Sequence, residues 1–247
     1  MKHILVSCDH DDRSGAAMPY ARLFTNKFGA ALTVIHAGDA RTVVQTAREV
    51  GADLIIIATR GLHGWRRTLL GSIALDVIHG YDGSVLVIEP PETPAAVTPK
   101  ISRILCPVNM TEVARESVRV ASSMAARFAA QLVIVHVVED GHTTYDSGRS
   151  LRKWLANDAK PDVAWREIVM RGGAAERVLD CAEDLDADLL VVGAQHKFLR
   201  DATVIGSTTE RLLRFAKCPV LSIIRENRAQ ENDGELADVV STARACS

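Results

Sequence analysis

The chain has 247 residues, 47% of them hydrophobic and 24% charged, and a formal net charge of −2 at pH 7. This is the balance of a soluble globular protein, and so small a charge gives no electrostatic pull toward nucleic acid or an anionic membrane. No apolar run approaches the ~20 residues that a membrane-spanning helix needs, and the opening Met1–Val6 turns polar too soon for a secretory signal, so a cytoplasmic protein is expected.

Strand and helix signals then alternate along the chain, which points to a parallel sheet flanked by helices. His3–Cys8 reads as an apolar strand closed by Asp9. Ala17, Tyr20, Ala21, Phe24 and Phe28 recur at helical spacing, with Pro19 tolerable only in the first turn and Gly29 as the stop. Leu32–His36 is a second strand, Ala40–Val50 a helix and Leu54–Ala58 a wholly apolar strand suited to the middle of a parallel sheet. A helix opens at Gly71–Ile78, and Val85–Ile88 is a further strand. The prolines between Glu89 and Pro99 favour an extended tether.

The same order then returns. Strand Ile104–Val108, helix Glu112–Phe128 and strand Leu132–Val137 are followed by a helix near Ser150–Ala156 and a strand near Val163–Met170. Helix Ala174–Leu185, strand Leu189–Gly193, helix Ser207–Phe215 and strand Val220–Ile224 complete the series. Ile4-Leu5 and Leu32–His36 match Ile104-Leu105 and Leu132–His136 at an offset of 100, whereas Ala52-Asp53-Leu54, Gly71-Ser72 and Val85-Leu86 match their counterparts at an offset of 135. Two copies of one unit therefore lie in tandem, and the second holds about 35 more residues between Val137 and Gly172. The expected domains are residues 1–90 and 102–225, joined by a linker over 91–101 and followed by a polar tail over 226–247. The first copy is short by about one helix and one strand, which leaves a sheet face in want of cover. Self-association near Ala31–Ala37 and the first helix is one remedy, and a homodimer is expected. The last strands, Val85–Ile88 and Val220–Ile224, are short apolar edges expected to pair with each other within the chain.

The five cysteines, Cys8, Cys106, Cys181, Cys218 and Cys246, form no C-x-x-C pair and no metal-ligand spacing, so they read as free thiols of a reducing compartment. There is no Walker lysine motif, no nucleophile elbow and no paired carboxylates recurring in both copies, so neither a catalytic nor a metal site is expected. What does recur follows the long apolar strand. The first copy reads Ala58-Thr59-Arg60-Gly61, then nine residues, then Gly71-Ser72; the second reads Gly193-Ala194-Gln195-His196, then nine residues, then Gly206-Ser207. Glycines past a parallel strand let the backbone approach a ligand, and a Gly-Ser that opens a helix offers free N–H groups to a phosphate. The same residues also suit plain turns and a serine helix cap.

With the aspartate that closes the first strand, the histidines His36 and His136 and the Ala-Asp-Leu lead-in, this pattern resembles the universal stress protein family. Its nucleotide-binding members carry G-x2-G-x9-G-[ST] at this place. The resemblance covers residues 2–88 and 102–224. It implies two doubly wound, flavodoxin-like α/β domains, and binding of ATP or AMP, with or without Mg²⁺, in a stress-response or regulatory setting. The site residues it implies are Asp9, Ala37, Ala58, Gly61, Gly71 and Ser72 in the first half, and Asn109, Val137, Gly193, His196, Gly206, Ser207 and Thr208 in the second. Both halves depart from the pattern. Ala58 replaces a glycine in the first; His196 replaces a glycine and Asn109 the aspartate in the second. On motif alone the first half ranks ahead. Two other readings stand beside nucleotide binding: an interaction protein whose sites have decayed, and a slow nucleotide hydrolase.

Overall fold

A computed structural model describes residues 1–8, 16–58, 72–90, 98–138, 143–194, 197–199 and 202–224. The first half runs β1 (His3–Cys8), α1 (Ala17–Phe28), β2 (Ala31–His36), α2 (Ala40–Glu49), β3 (Leu54–Ala58), α3 (Ser72–Gly80) and β4 (Ser84–Ile88). The second runs β5 (Arg103–Pro107), α4 (Glu112–Phe128), β6 (Gln131–Val138), α5 (Thr144–Trp154), β7 (Trp165–Arg171), α6 (Ala174–Asp184) and β8 (Leu189–Ala194). A hairpin of β9 (Lys197–Leu199) and β10 (Ala202–Val204) follows, then α7 (Ser207–Phe215) and β11 (Val220–Ile224).

Local chemistry sets these boundaries. Pro19 sits in the first turn of α1, and Gly29 ends that helix in the left-handed conformation at φ 63°. Asp39 caps α2 by accepting the Thr42 N–H at 2.9 Å. The insert helix begins at Thr144, earlier than the apolar pattern suggests, because its start is marked by a polar cap: the Thr143 hydroxyl accepts the Asp146 N–H at 3.0 Å. It ends in a π-helical turn, Leu155–Ala159. The stretch between Gly193 and Gly206, which carries no strand signal of its own, contains the β9–β10 hairpin.

All the strands but the hairpin form one sheet in the order β2-β1-β3-β4-β11-β8-β5-β6-β7. Within each half the pairing is parallel. The halves join where β4 meets β11 antiparallel, with Val85 opposite Ser222, Leu86 opposite Leu221 and Val87 opposite Val220. The two last strands thus pair within the chain, as expected. Helices cover both faces, which is why the central strands are apolar on both sides. One core gathers residues such as Phe24, Ile56, Leu86, Ile104 and Leu132; the other gathers Val43, Ile78, Leu190 and Leu213.

The seam behaves as an internal two-fold. Phe28 and Phe128 occupy equivalent repeat positions, as do Lys27 and Arg127. The Arg127 guanidinium lies 5.3 Å from the centre of the Phe28 ring and the Lys27 ammonium 5.9 Å from that of Phe128, the reciprocal contact that an isologous interface requires. The lead-in aspartates are structural in both copies. Asp188 accepts the N–H groups of Ser102 and Arg103 at 2.7 and 2.8 Å, and Asp53 accepts those of Lys2 and His3. Burial, the largest single influence, raises the Asp53 carboxyl, but the two amides together with the positive charges of the N-terminus and Lys2 outweigh it and hold the pKa below its ordinary value.

The abbreviation of the first half has a direct structural consequence. In the second half, β6 lies between β5 and β7, and Ile134 is fully buried; in the first, β2 is the sheet's edge, and the equivalent Val34 is 44% exposed.

Candidate functional site

The carboxyl end of β5 lies between those of β8 and β6, and the chain leaves these strands toward opposite faces, so a crevice opens there. It forms a cavity of about 320 Å³, of the size that takes a small ligand. One wall is apolar, with Val135, Val137, Val178 and Leu212 on one face of the sheet and Ala174 also in the lining, while Val108 belongs to the core of the other face. The opposite side is the start of α4, with Val113 and Ala114. Polar groups stand between them, from Asn109, Thr111, Thr208 and Thr209. No ionisable side chain lines the cavity among the described residues.

Several expected residues meet here. Asn109, Val137, Gly193 and Thr208 all line the cavity, and Gly206 and Ser207 form the start of the adjoining α7. His196 lies outside the described residues. In the first half Asp9, Gly61 and Gly71 also lie outside them. Ala37 is buried just past β2, Ala58 ends β3, and Ser72 is the first residue of α3. The ranking of the first half over the second on motif is therefore neither upheld nor overturned, and the described cavity belongs to the second half.

The two motif glycines of that half serve different ends. Gly193 does not have positive φ. A Cβ there would sit 2.7 Å from the Val113 Cγ1 and 3.0 Å from the Ser117 Oγ, so glycine lets β8 pack closely on α4. Gly193 also lines the cavity, so this packing role stands beside the one expected from the motif. At Gly206, by contrast, φ is −59° and a Cβ would meet nothing within 4 Å. The space in front of that residue is open.

The helix ends differ as well. α2 and α4 are capped by the side chains of Asp39 and Thr111, whereas α6 and α7 start at Gly173 and Gly206 with no side-chain cap. The serine-cap reading of Gly206-Ser207 is therefore not what is found. Among the described residues no side chain caps the first amides of α7, which carry the positive end of the helix dipole. Glu210, in the same turn, is held by Arg214 at 2.7 Å, which offsets its charge.

Other candidate groups are structural. His136 contacts the Val108 carbonyl oxygen through Nδ1 at 2.9 Å and so ties the ends of β6 and β5 together. The Cys106 thiol, fully buried in β5, is pushed up to about 12 by desolvation, and burial likewise takes Cys218 to about 12. Such thiols are not nucleophiles at neutral pH. The described residues hold no cluster of three or more metal-ligating side chains, and no helix long and apolar enough to cross a membrane. Sequence reading missed Thr111, Ala174 and Val178. Thr111 carries the signal of a helix cap just past Asn109, and Ala174 and Val178 share one helix face at i, i+4.

The sequence profile of the universal stress protein family matches residues 38–89 and 100–223. The chain belongs to this family. A universal stress protein of Synechocystis is 28% identical over 131 residues, 49% of this chain and 83% of that protein. One from Mycolicibacterium smegmatis is 25% identical over 197 residues, 74% of this chain but only 65% of that relative's length. Among solved structures, a universal stress protein from Archaeoglobus fulgidus superposes with a TM-score of 0.70 at 18% identity, covering 90% of this chain and 98% of that one. A functionally unknown protein from Pseudomonas aeruginosa gives a TM-score of 0.62 over 97% of this chain and 86% of its own, also at 18% identity. At such identities the likeness concerns the fold, the flavodoxin-like α/β arrangement described above.

Proposed function

We propose that the second half binds an adenine nucleotide, ATP or AMP, and that the protein acts as a stress-response or regulatory module that holds this ligand without turning it over efficiently. The observation that carries the reading is the continuity of an apolar slot with an uncapped helix start. The base packs on Val137 and Val178, the ribose crosses the end of β5 at Asn109, and the phosphates reach the first amides of α7 past Gly206, Ser207 and Thr208. The corresponding positions of the first half are Asp9, Ala37, Ala58, Gly61, Gly71 and Ser72. The free cysteines Cys8, Cys106, Cys181 and Cys218 suit a reducing, cytoplasmic setting.

Mass spectrometry of small molecules released from freshly purified protein, followed by calorimetric titration with ATP and AMP, tests this. The expected result is one nucleotide per chain and no appreciable turnover with Mg²⁺. Absence of binding by either nucleotide would favour an interaction protein with decayed sites, and steady release of phosphate would favour the hydrolase.

The same reading includes a homodimer through β2. The opposite edge strand, β7, carries Arg166, Glu167 and Arg171, charges of the kind that keep an edge from pairing. β2, Ala-Leu-Thr-Val-Ile-His, carries no acidic or lysine or arginine residue, and its Val34 stands exposed. A second copy, paired across a two-fold axis, covers that edge. Light scattering at micromolar concentration should give the dimer mass, and Val34→Lys should give the monomer. A monomeric wild-type protein would remove this part of the reading.

A further inference from the structure

Asn109 stands at the repeat position where the first half has Asp9, so the two halves differ there by one full charge. Its orientation is set by a chain of hydrogen bonds. The Thr111 hydroxyl caps α4 by accepting the Ala114 N–H, at 3.4 Å, so its own proton is free to point elsewhere. It points to Asn109, donating to Oδ1 at 2.8 Å. The carbonyl oxygen of the side chain is thereby engaged. The two protons of Nδ2, for which no acceptor is found among the described residues, belong to an exposed side chain that lines the cavity and are free to donate to what enters it.

An aspartate at this place accepts hydrogen bonds, and suits a ribose with free hydroxyls to donate. An asparagine held this way donates, and carries no charge to repel an anion. Free ribose hydroxyls can still receive its protons, but their own protons find no carboxylate. A phosphate oxygen wants donors only, and a hydrogen bond to an ionised acceptor is roughly twice as strong as a neutral one. The position matters as much as the polarity. With the base on the Val137 side and the 5′-phosphate at the start of α7, the end of β5 lies under the ribose, so Asn109 faces the sugar's hydroxyl edge.

We infer that Asn109 is a specificity-determining residue that turns the second-half site toward adenine nucleotides whose ribose 3′-oxygen is esterified by phosphate. This rests on the nucleotide reading above and goes beyond it by naming which nucleotides the site prefers.

The full chain and its Asn109→Asp variant are titrated calorimetrically with AMP, with adenosine 3′,5′-bisphosphate and with 3′,5′-cyclic AMP. The wild type is expected to bind at least one of the two 3′-esterified probes about tenfold more tightly than AMP, which corresponds to about 1.4 kcal/mol. The two probes separate an open 3′-phosphate from a cyclic diester. Asn109→Asp is expected to reverse the order, gaining affinity for AMP and losing it for the esterified probe. Thermal melts of both proteins show whether the variant is folded; should it not be, Asn109→Ser, which removes the paired donors without adding charge, is expected to abolish the preference. If wild type binds AMP as well as either esterified probe, or if the ratio is the same in the variants, the inference fails while the nucleotide reading stands. If none of the probes binds wild type, both fail.

Discussion

Replacing Phe24 by alanine is expected to cost about 3–5 kcal/mol of stability, the usual range for deleting a large buried aromatic. Phe24 is fully buried. Its ring centre lies 6.0 Å from that of Phe28 and 5.3 Å from that of Phe128, so it holds α1 against α4, a helix of the other half. The loss therefore falls on the seam as well as on the first half. That seam is also the place where β4 and β11 join two parallel sheets into one, with the Ser222 hydroxyl donating to the Val85 carbonyl at 3.3 Å. If the halves share a core, denaturant unfolding of the variant should show one transition with a lowered midpoint, and amide exchange should accelerate in β8 and β11 as well as in β1 and β3. Loss of protection confined to residues 1–90 would mean that the halves are independent units that merely touch. An exposed control, Tyr145→Ala, should change the midpoint little, since its side chain is largely in water at 72% exposure.

Most of the fold is legible in the sequence because its signals are local and repeated. The alternation of apolar strands with helices of period 3.6 gives the elements, and the match of Leu32–His36 to Leu132–His136 gives the tandem. The aspartate of Ala-Asp-Leu is visible twice, and the structure supplies its reason: it receives two amides at the start of the neighbouring strand. The onset of α5 is harder to see because Thr143 and Asp146 mark it only through a cap, ahead of the apolar stripe that includes Leu151. The site is legible in position but not in the division of labour. Spacing alone treats Gly193 and Gly206 as one motif, whereas only the packing of Val113 and Ser117 against β8 separates them. The direction of the Asn109 amide is likewise absent from the sequence, since it follows from the Thr111 cap.

Gly206→Val is expected to weaken nucleotide binding by well over tenfold, a loss above about 1.4 kcal/mol, with little change in thermal stability. The backbone at Gly206 has φ −59° and ψ 139°, which valine adopts readily, and a Cβ there meets nothing within 4 Å. The added side chain enters the open space before the first amides of α7, where the phosphates are proposed to lie. Gly193→Ala should behave in the opposite way. Its Cβ would come 2.7 Å from the Val113 Cγ1, so β8 and α4 must part, at a cost of about 1–3 kcal/mol of stability. Any loss of affinity in that variant should follow from the displaced α4. Calorimetry and thermal melts on both variants separate the two roles. Wild-type affinity in Gly206→Val would remove the phosphates from the start of α7. A Gly193→Ala protein as stable as wild type would show that the strand–helix contact yields more easily than its geometry implies.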